Sequence, residues 1–157
     1  MGDRQAARQP KDTRAGRLRS ARELFRIGLP HELGVRLRSL APQKVVAELR
    51  VKPAHLNRNR RVGGGVLMAL ADVMGAAGAI ANRPLGFRGG TLESKTNFFA
   101  AGTGPVLIAV SVPLHIGRTT SVWQTTIRNK GGRVVAIVTQ TQMSLPPSLR
   151  SNGADSE

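Results

Sequence analysis

One carboxylate stands apart in this 157-residue chain. Asp72 is the lone acid in NRRVGGGVLMALADVMGAAGAIANRP, residues 59 to 84, a run otherwise dominated by glycine, alanine and aliphatic side chains. Gly63, Gly64 and Gly65 open the apolar part of that run, and Asn57 precedes them. A carboxylate can activate water as a general base or attack as a nucleophile. Glycine N–H groups at a helix start can bind an oxygen that becomes negative, and the helix dipole adds to their pull. Together these are the parts that attack on a carbonyl carbon requires. Each residue also has a plain structural role: a salt bridge for Asp72, a flexible turn for the glycines, an Asx turn for Asn57.

Spacing constrains how the parts could cooperate. If Gly64 and Asp72 are both helical, the eight residues between them correspond to ~12 Å along the axis. One carbonyl cannot touch both at that distance. Either the chain around Gly64 is unwound, or Asp72 works with Gly64 of a second subunit. A carboxylate on a small, apolar helix face is also expected to be desolvated, which favours its neutral form unless N–H donors or arginines hold it ionised.

The element carrying Asp72 is predicted as a helix over residues 65–82. Val66, Leu70, Val73, Ala77 and Ile80 recur at spacings of three and four, and Gly65, Ala69, Asp72, Ala76 and Ala79 form a second face of small residues. Small side chains admit a close neighbour, so the helix is expected to be sandwiched, and Pro84 ends it. Upstream, SARELFRIGLP predicts a short helix capped by Ser20, and GVRLRSLAPQKVVAELRV a hairpin turning at Ala41-Pro42. In its first strand Val35, Leu37 and Ser39 are expected on one face, with Arg36, Arg38 and Leu40 on the other. Downstream, GTLESKTNFF, GPVLIAVSVPLHI, TTSVWQTTIRN and RVVAIVTQTQMSL predict four strands in meander-like order. A lone apolar helix among antiparallel strands must bury itself against their sheet, which gives an α+β fold with the sheet wrapped around the helix.

Composition narrows the chemistry. Cysteine is absent, so no disulfide or thiolate site is possible, and three scattered histidines do not suggest zinc; no metal or cofactor is expected. The longest apolar stretch is broken by Asp72 and rich in glycine, so no membrane span is expected, and a start without an apolar segment points to a cytoplasmic protein. An Arg-rich leader is the lesser alternative. The formal net charge is +15. Residues 1–26 read as a basic, disordered arm, 27–146 as the domain, and 147–157 as a polar tail. The basic surface would attract any polyanion. With aromatics at 3% and no helix-turn-helix pattern, nucleic acid is the weakest partner among those considered.

The ordered set of Asn57, Gly64-Gly65, Asp72 within LAD, the later TNFF strand and the Gly117-Arg118 turn resembles the hotdog-fold acyl-CoA thioesterases of the phenylacetic-acid-degradation type. It covers roughly residues 34–145. The resemblance implies a hotdog fold, a homodimer joining two sheets edge to edge, usually paired into homotetramers, and active sites at the subunit interface. It makes Asp72 the base or nucleophile and the Gly64 N–H the oxyanion donor. Asn57 would orient water or carbonyl, and Thr91, reaching from the partner subunit, would hold the water. Arg118, with Arg88 and Gly65, would contact the CoA portion. Members typically carry histidine where this chain has Gly63, and His55 does not replace it by position. Hydrolysis of a small or medium acyl-CoA is therefore the leading expectation. A hotdog module that binds acyl-CoA or an acyl carrier without catalysis is the alternative. Leu67, Met68, Met74 and Phe98 are expected to line the acyl channel.

Overall fold

A computed structural model describes residues 12–147. The remaining parts of the expected arm and tail lie outside the described residues. Helix α1 (Arg14–Glu23) is followed by a one-turn helix α2 (Gly28–Glu32), then strands β1 (Val35–Ala41) and β2 (Lys44–Arg50). The long helix α3 (Gly64–Asn82) precedes β3 (Arg88–Phe98), β4 (Val106–Ile116), β5 (Thr120–Asn129) and β6 (Val134–Leu145).

The first helix starts earlier than its sequence signal, at Arg14. Thr13 caps it by accepting from the Gly16 N–H at 3.1 Å, a role expected of Ser20. Ala21 and Phe25 are buried, so part of the segment expected as a disordered arm packs into the core beside α3. Asp12 Oδ1 accepts from the Leu85 N–H at 3.1 Å and so ties the start of α1 to the turn that follows α3.

All six strands form one antiparallel sheet in the order β1-β2-β4-β5-β6-β3. The expected meander holds for β4, β5 and β6. β3 departs from it: the chain crosses by way of α3, and β3 pairs with β6 at the far edge. Almost every residue of β3 is exposed, among them Leu92 and Phe98, as is Phe99 just beyond it. The β1–β2 hairpin forms as its sequence predicts, but a bulge between Leu37 and Ser39 shifts the pleat by one residue. Leu40, expected on the face with the arginines, consequently turns inward and is buried.

The sheet curls around α3, ten of whose residues are buried. The helix is long and apolar enough to cross a membrane by length and composition, yet here it fills the concave face of the sheet. Its buried stripe is wider than the periodicity indicated and includes Leu67, Ala71, Met74 and Gly78. Glycine permits the closest approach: a Cβ at Gly78 would stand 2.6 Å from the ring of the fully buried Trp123. The small-residue face at Gly65, Ala69, Asp72 and Ala76 is instead open or only partly covered in the single chain.

Candidate active site

Asp72 projects from the middle of α3 toward the inner face of the sheet where β3 meets β6. Its Oδ1 accepts two hydrogen bonds, from Thr91 Oγ1 at 2.8 Å and from Gln140 Nε2 at 3.0 Å. Gln142 Nε2 in turn donates to Thr91 Oγ1 at 2.9 Å, which leaves the threonine proton pointing at the carboxylate. Two donors thus converge on one oxygen, and Oδ2 takes no hydrogen bond from the described residues. The carboxylate is exposed in the single chain rather than desolvated as its face suggested. Such a group has one oxygen fixed and one free to take a proton or attack.

Gln140 is seated by an absence. The side chain is fully buried, and its Oε1 has no hydrogen-bond donor. That oxygen rests on the bare Cα of Gly75, where a Cβ would collide with it. Turning the amide over would set Oε1 against the Asp72 oxygen, so an ionised carboxylate fixes the orientation. Gly75→Ala is therefore expected to lower activity by about 10- to 100-fold, the equivalent of one hydrogen bond to a charged group. Stability should fall as well, despite the better helix propensity of alanine, because a packed core resists an added methyl. Thermal melts and turnover of Gly75→Ala and of Gly75→Ala/Gln140→Ala check this. The double variant regains stability without regaining activity.

Gly64 is the first residue of α3, so the chain around it is not unwound. Gly63 caps the helix without a side-chain bond, and the N–H groups of Gly64 and Gly65 find no acceptor among the described residues. Both Gly64 and Asp72 are helical, which keeps them ~12 Å apart within one chain. The Phe98 ring covers Gly64, 3.2 Å from where a Cβ would be, while the space beside Gly65 is open. Strand β3 therefore carries the Asp72 partner Thr91 near one end and the Gly64 neighbour Phe98 at the other.

The remaining candidates sort as follows. Thr91, expected to reach across from a partner, binds Asp72 of its own chain. Asn57 organises the loop before α3: its Oδ1 accepts from the Asn59 and Arg61 N–H groups at 2.9 and 3.2 Å, the Asx turn that was its plain reading. Its Nδ2 makes no bond among the described residues. Arg118 is exposed on the β4–β5 turn, at the rim of a cavity of about 390 Å³, and Arg88 is exposed at the start of β3. Leu67 and Met74 belong to the core rather than to a channel, whereas Met68 and Phe98 are exposed. Gln140 and Gln142 were missed by sequence reasoning, although two glutamines at strand period just after the apolar VVAIV run of β6 were a readable signal.

His55 is structural. It is buried, its Nδ1 accepts from the Lys52 N–H at 3.1 Å, and its carbonyl accepts from the Gly63 N–H at 2.8 Å. Burial, and then the charge of Lys52, push the His55 pKa below its ordinary value, against an opposing backbone hydrogen bond at Leu33. The folded chain thus binds this proton less readily than the unfolded chain. The resulting stabilisation is complete above about pH 6.5 and is lost as pH falls through that value toward the lower folded one. Melting midpoints should drop between pH 7.5 and 5, and less steeply in His55→Gln. Equal slopes would contradict this placement.

Comparisons with known proteins bear on the family and the fold. The family model described as Thioesterase superfamily matches residues 61–136. A Mycobacterium tuberculosis protein named as an esterase is 31% identical over 108 residues, covering 67% of this chain and 77% of the relative. The chain belongs to the thioesterase superfamily. Two solved structures show its fold. A thioesterase family protein from Silicibacter pomeroyi has a TM-score of 0.78 at 23% identity, over 85% of this chain and 99% of that one. The E. coli PaaI protein from the phenylacetic acid degradation operon has a TM-score of 0.75 at 20% identity, over 85% and 96%. The hotdog architecture expected from the sequence is thus the one adopted, and thioester hydrolysis is the chemistry that superfamily membership supports.

Proposed function

We propose that the chain is an acyl-CoA thioesterase of the phenylacetic-acid-degradation type, acting on a small or medium acyl-CoA in the cytoplasm. The observation that carries this reading is the convergence of Thr91 and Gln140 on one oxygen of Asp72 beside an unpaired sheet edge. The exposed backbone of β3 invites a second copy to pair with it in antiparallel fashion about a two-fold axis. With the axis near Lys95, the Thr91 end of one β3 lies opposite the Phe98 end of the other. Asp72 of one subunit then approaches Gly64 of its partner, and the ~12 Å gap within a chain ceases to matter.

In that site the thioester carbonyl oxygen accepts from the Gly64 N–H of the partner, where the helix dipole and the missing cap favour negative charge. Oδ2 of Asp72 removes a proton from water, or attacks the carbonyl itself, while Oδ1 stays in its two hydrogen bonds. In the first route the water oxygen bonds to the carbonyl carbon, the carbon–sulfur bond breaks, and the proton held on Oδ2 passes to the CoA thiolate; in the second the thiolate leaves first, and water then cleaves the acyl–Asp72 anhydride to free acid, supplying the proton the thiolate takes. Arg118 contributes positive charge toward the CoA phosphates, and Arg88, Gly65 and the Asn57 Nδ2 lie on surfaces that the substrate can meet. Gly63, in place of the usual histidine, leaves the carboxylate and the oxyanion donor as the working pair. A pair of dimers gives the homotetramer.

A panel of acyl-CoAs assayed for thiol release tests the reading. Turnover of at least one short or medium acyl-CoA is expected; binding across the panel with no thiol released would show a silent module instead.

A further inference from the structure

A cavity of about 390 Å³ lies between the C-terminal end of α3 and the β4–β5 turn. Arg83 lines it. This residue is partly buried, and its guanidinium forms no salt bridge among the described residues. Burial lowers its pKa, so its charge has been drawn partly out of water with no acid to compensate. The guanidinium packs against Gly89, where a Cβ would collide with it.

Two registers connect this charge to the carboxylate. On β3, Gly89 and Thr91 pair with Ser144 and Gln142, so they share the inner face and lie ~7 Å apart. Asp72 and Ala79 share one stripe of α3 at i and i+7, and Arg83, the C-cap residue that ends the helix, follows at i+11. Ala79, Gln142 and Ser144 thus lie between Asp72 and Arg83, and Ala79 and Ser144 also line the cavity.

Building on the thioesterase reading above, we propose that this cavity takes the far end of the acyl group and that Arg83 pairs there with a second carboxylate. The substrate class is a thioester of a dicarboxylic acid, with an acyl chain about four or five carbons long to fit the ~7 Å step. Water cleaves it to the free dicarboxylate and the CoA thiol. The CoA phosphates offer similar anionic oxygens, but the pantetheine arm holds them much farther from the thioester than two residues of strand.

The test compares glutaryl-CoA with pentanoyl-CoA, equal in chain length and different in one terminal carboxylate. Wild type should favour glutaryl-CoA in kcat/KM by about tenfold or more, and Arg83→Met should bring the ratio near one, with Arg83→Lys between. An equal ratio in wild type, or both substrates falling together in Arg83→Met, would overturn the proposal and assign Arg83 to phosphates or to packing. Free glutarate supplies a readout independent of turnover. It should raise the melting midpoint of wild type and not of Arg83→Met, and the absence of that shift also counts against the site. If glutarate stabilises the protein while no acyl-CoA is hydrolysed, the thioesterase reading fails and the carboxylate site stands.

Discussion

Asp72→Asn should reduce thioester hydrolysis by about 10³-fold or more while leaving the melting midpoint close to that of wild type. The asparagine carbonyl can occupy the place of Oδ1 and keep both hydrogen bonds, from Thr91 and from Gln140. What it loses is Oδ2, the oxygen that no neighbour holds. The variant thus separates chemistry from architecture: a structural carboxylate would tolerate the change, because its bonds survive. Since Asp72 is exposed in the single chain, its replacement leaves no buried charge behind. Turnover within a fewfold of wild type, measured by thiol release, would remove Asp72 from the reaction.

Gly64→Pro should be nearly as damaging for a different reason. Gly64 is the first residue of α3, the position where proline is best tolerated, because the missing N–H has no intrahelical partner there. The preceding Gly63, at φ −64° and ψ 144°, already has the extended conformation that a following proline demands. A Cβ at Gly64 would meet only the side chain of Phe98, which is 53% exposed and free to give way. The substitution therefore deletes one N–H and little else. Loss of a single oxyanion donor is expected to lower kcat by about 10²- to 10³-fold with the fold retained. Gly64→Ala, which keeps the N–H, is the matched control and should retain most of the activity.

The helix and its odd carboxylate were legible because both signals are local. A 3.6-residue apolar period and one acid among alanines need no tertiary knowledge. The strands were legible for the same reason, but their order was not: nothing in TLESKTNFF says that it pairs with β6 at the edge rather than with β4 beside it. The bulge at Arg38 that turns Leu40 inward was likewise hidden, since strict alternation was the simplest reading of that strand. Ser20 lost its expected role as cap to Thr13 because both are good caps, and the pattern of one short segment does not choose between them. At the site, Asp72 and the glycines carried recognisable chemistry. Gln140 did not, because its function comes from the contact with Gly75, sixty-five positions earlier. The same holds for Arg83, whose spacing from Asp72 gains meaning only once Gly89 and Thr91 are seen on one face of β3.

The central claim is that each active site takes its carboxylate from one subunit and its oxyanion donor from the other. Mixing the two inactive variants tests it directly. In a hybrid of an Asp72→Asn chain with a Gly64→Pro chain, one interfacial site receives both lesions and the other receives an intact Asp72 and an intact Gly64. Co-refolded in equal amounts, the variants should recover about one quarter of wild-type thiol release, because half the dimers are hybrids and half their sites are intact. If mixing restores nothing while hybrids demonstrably form, Asp72 and Gly64 do not meet across the interface and the account is wrong.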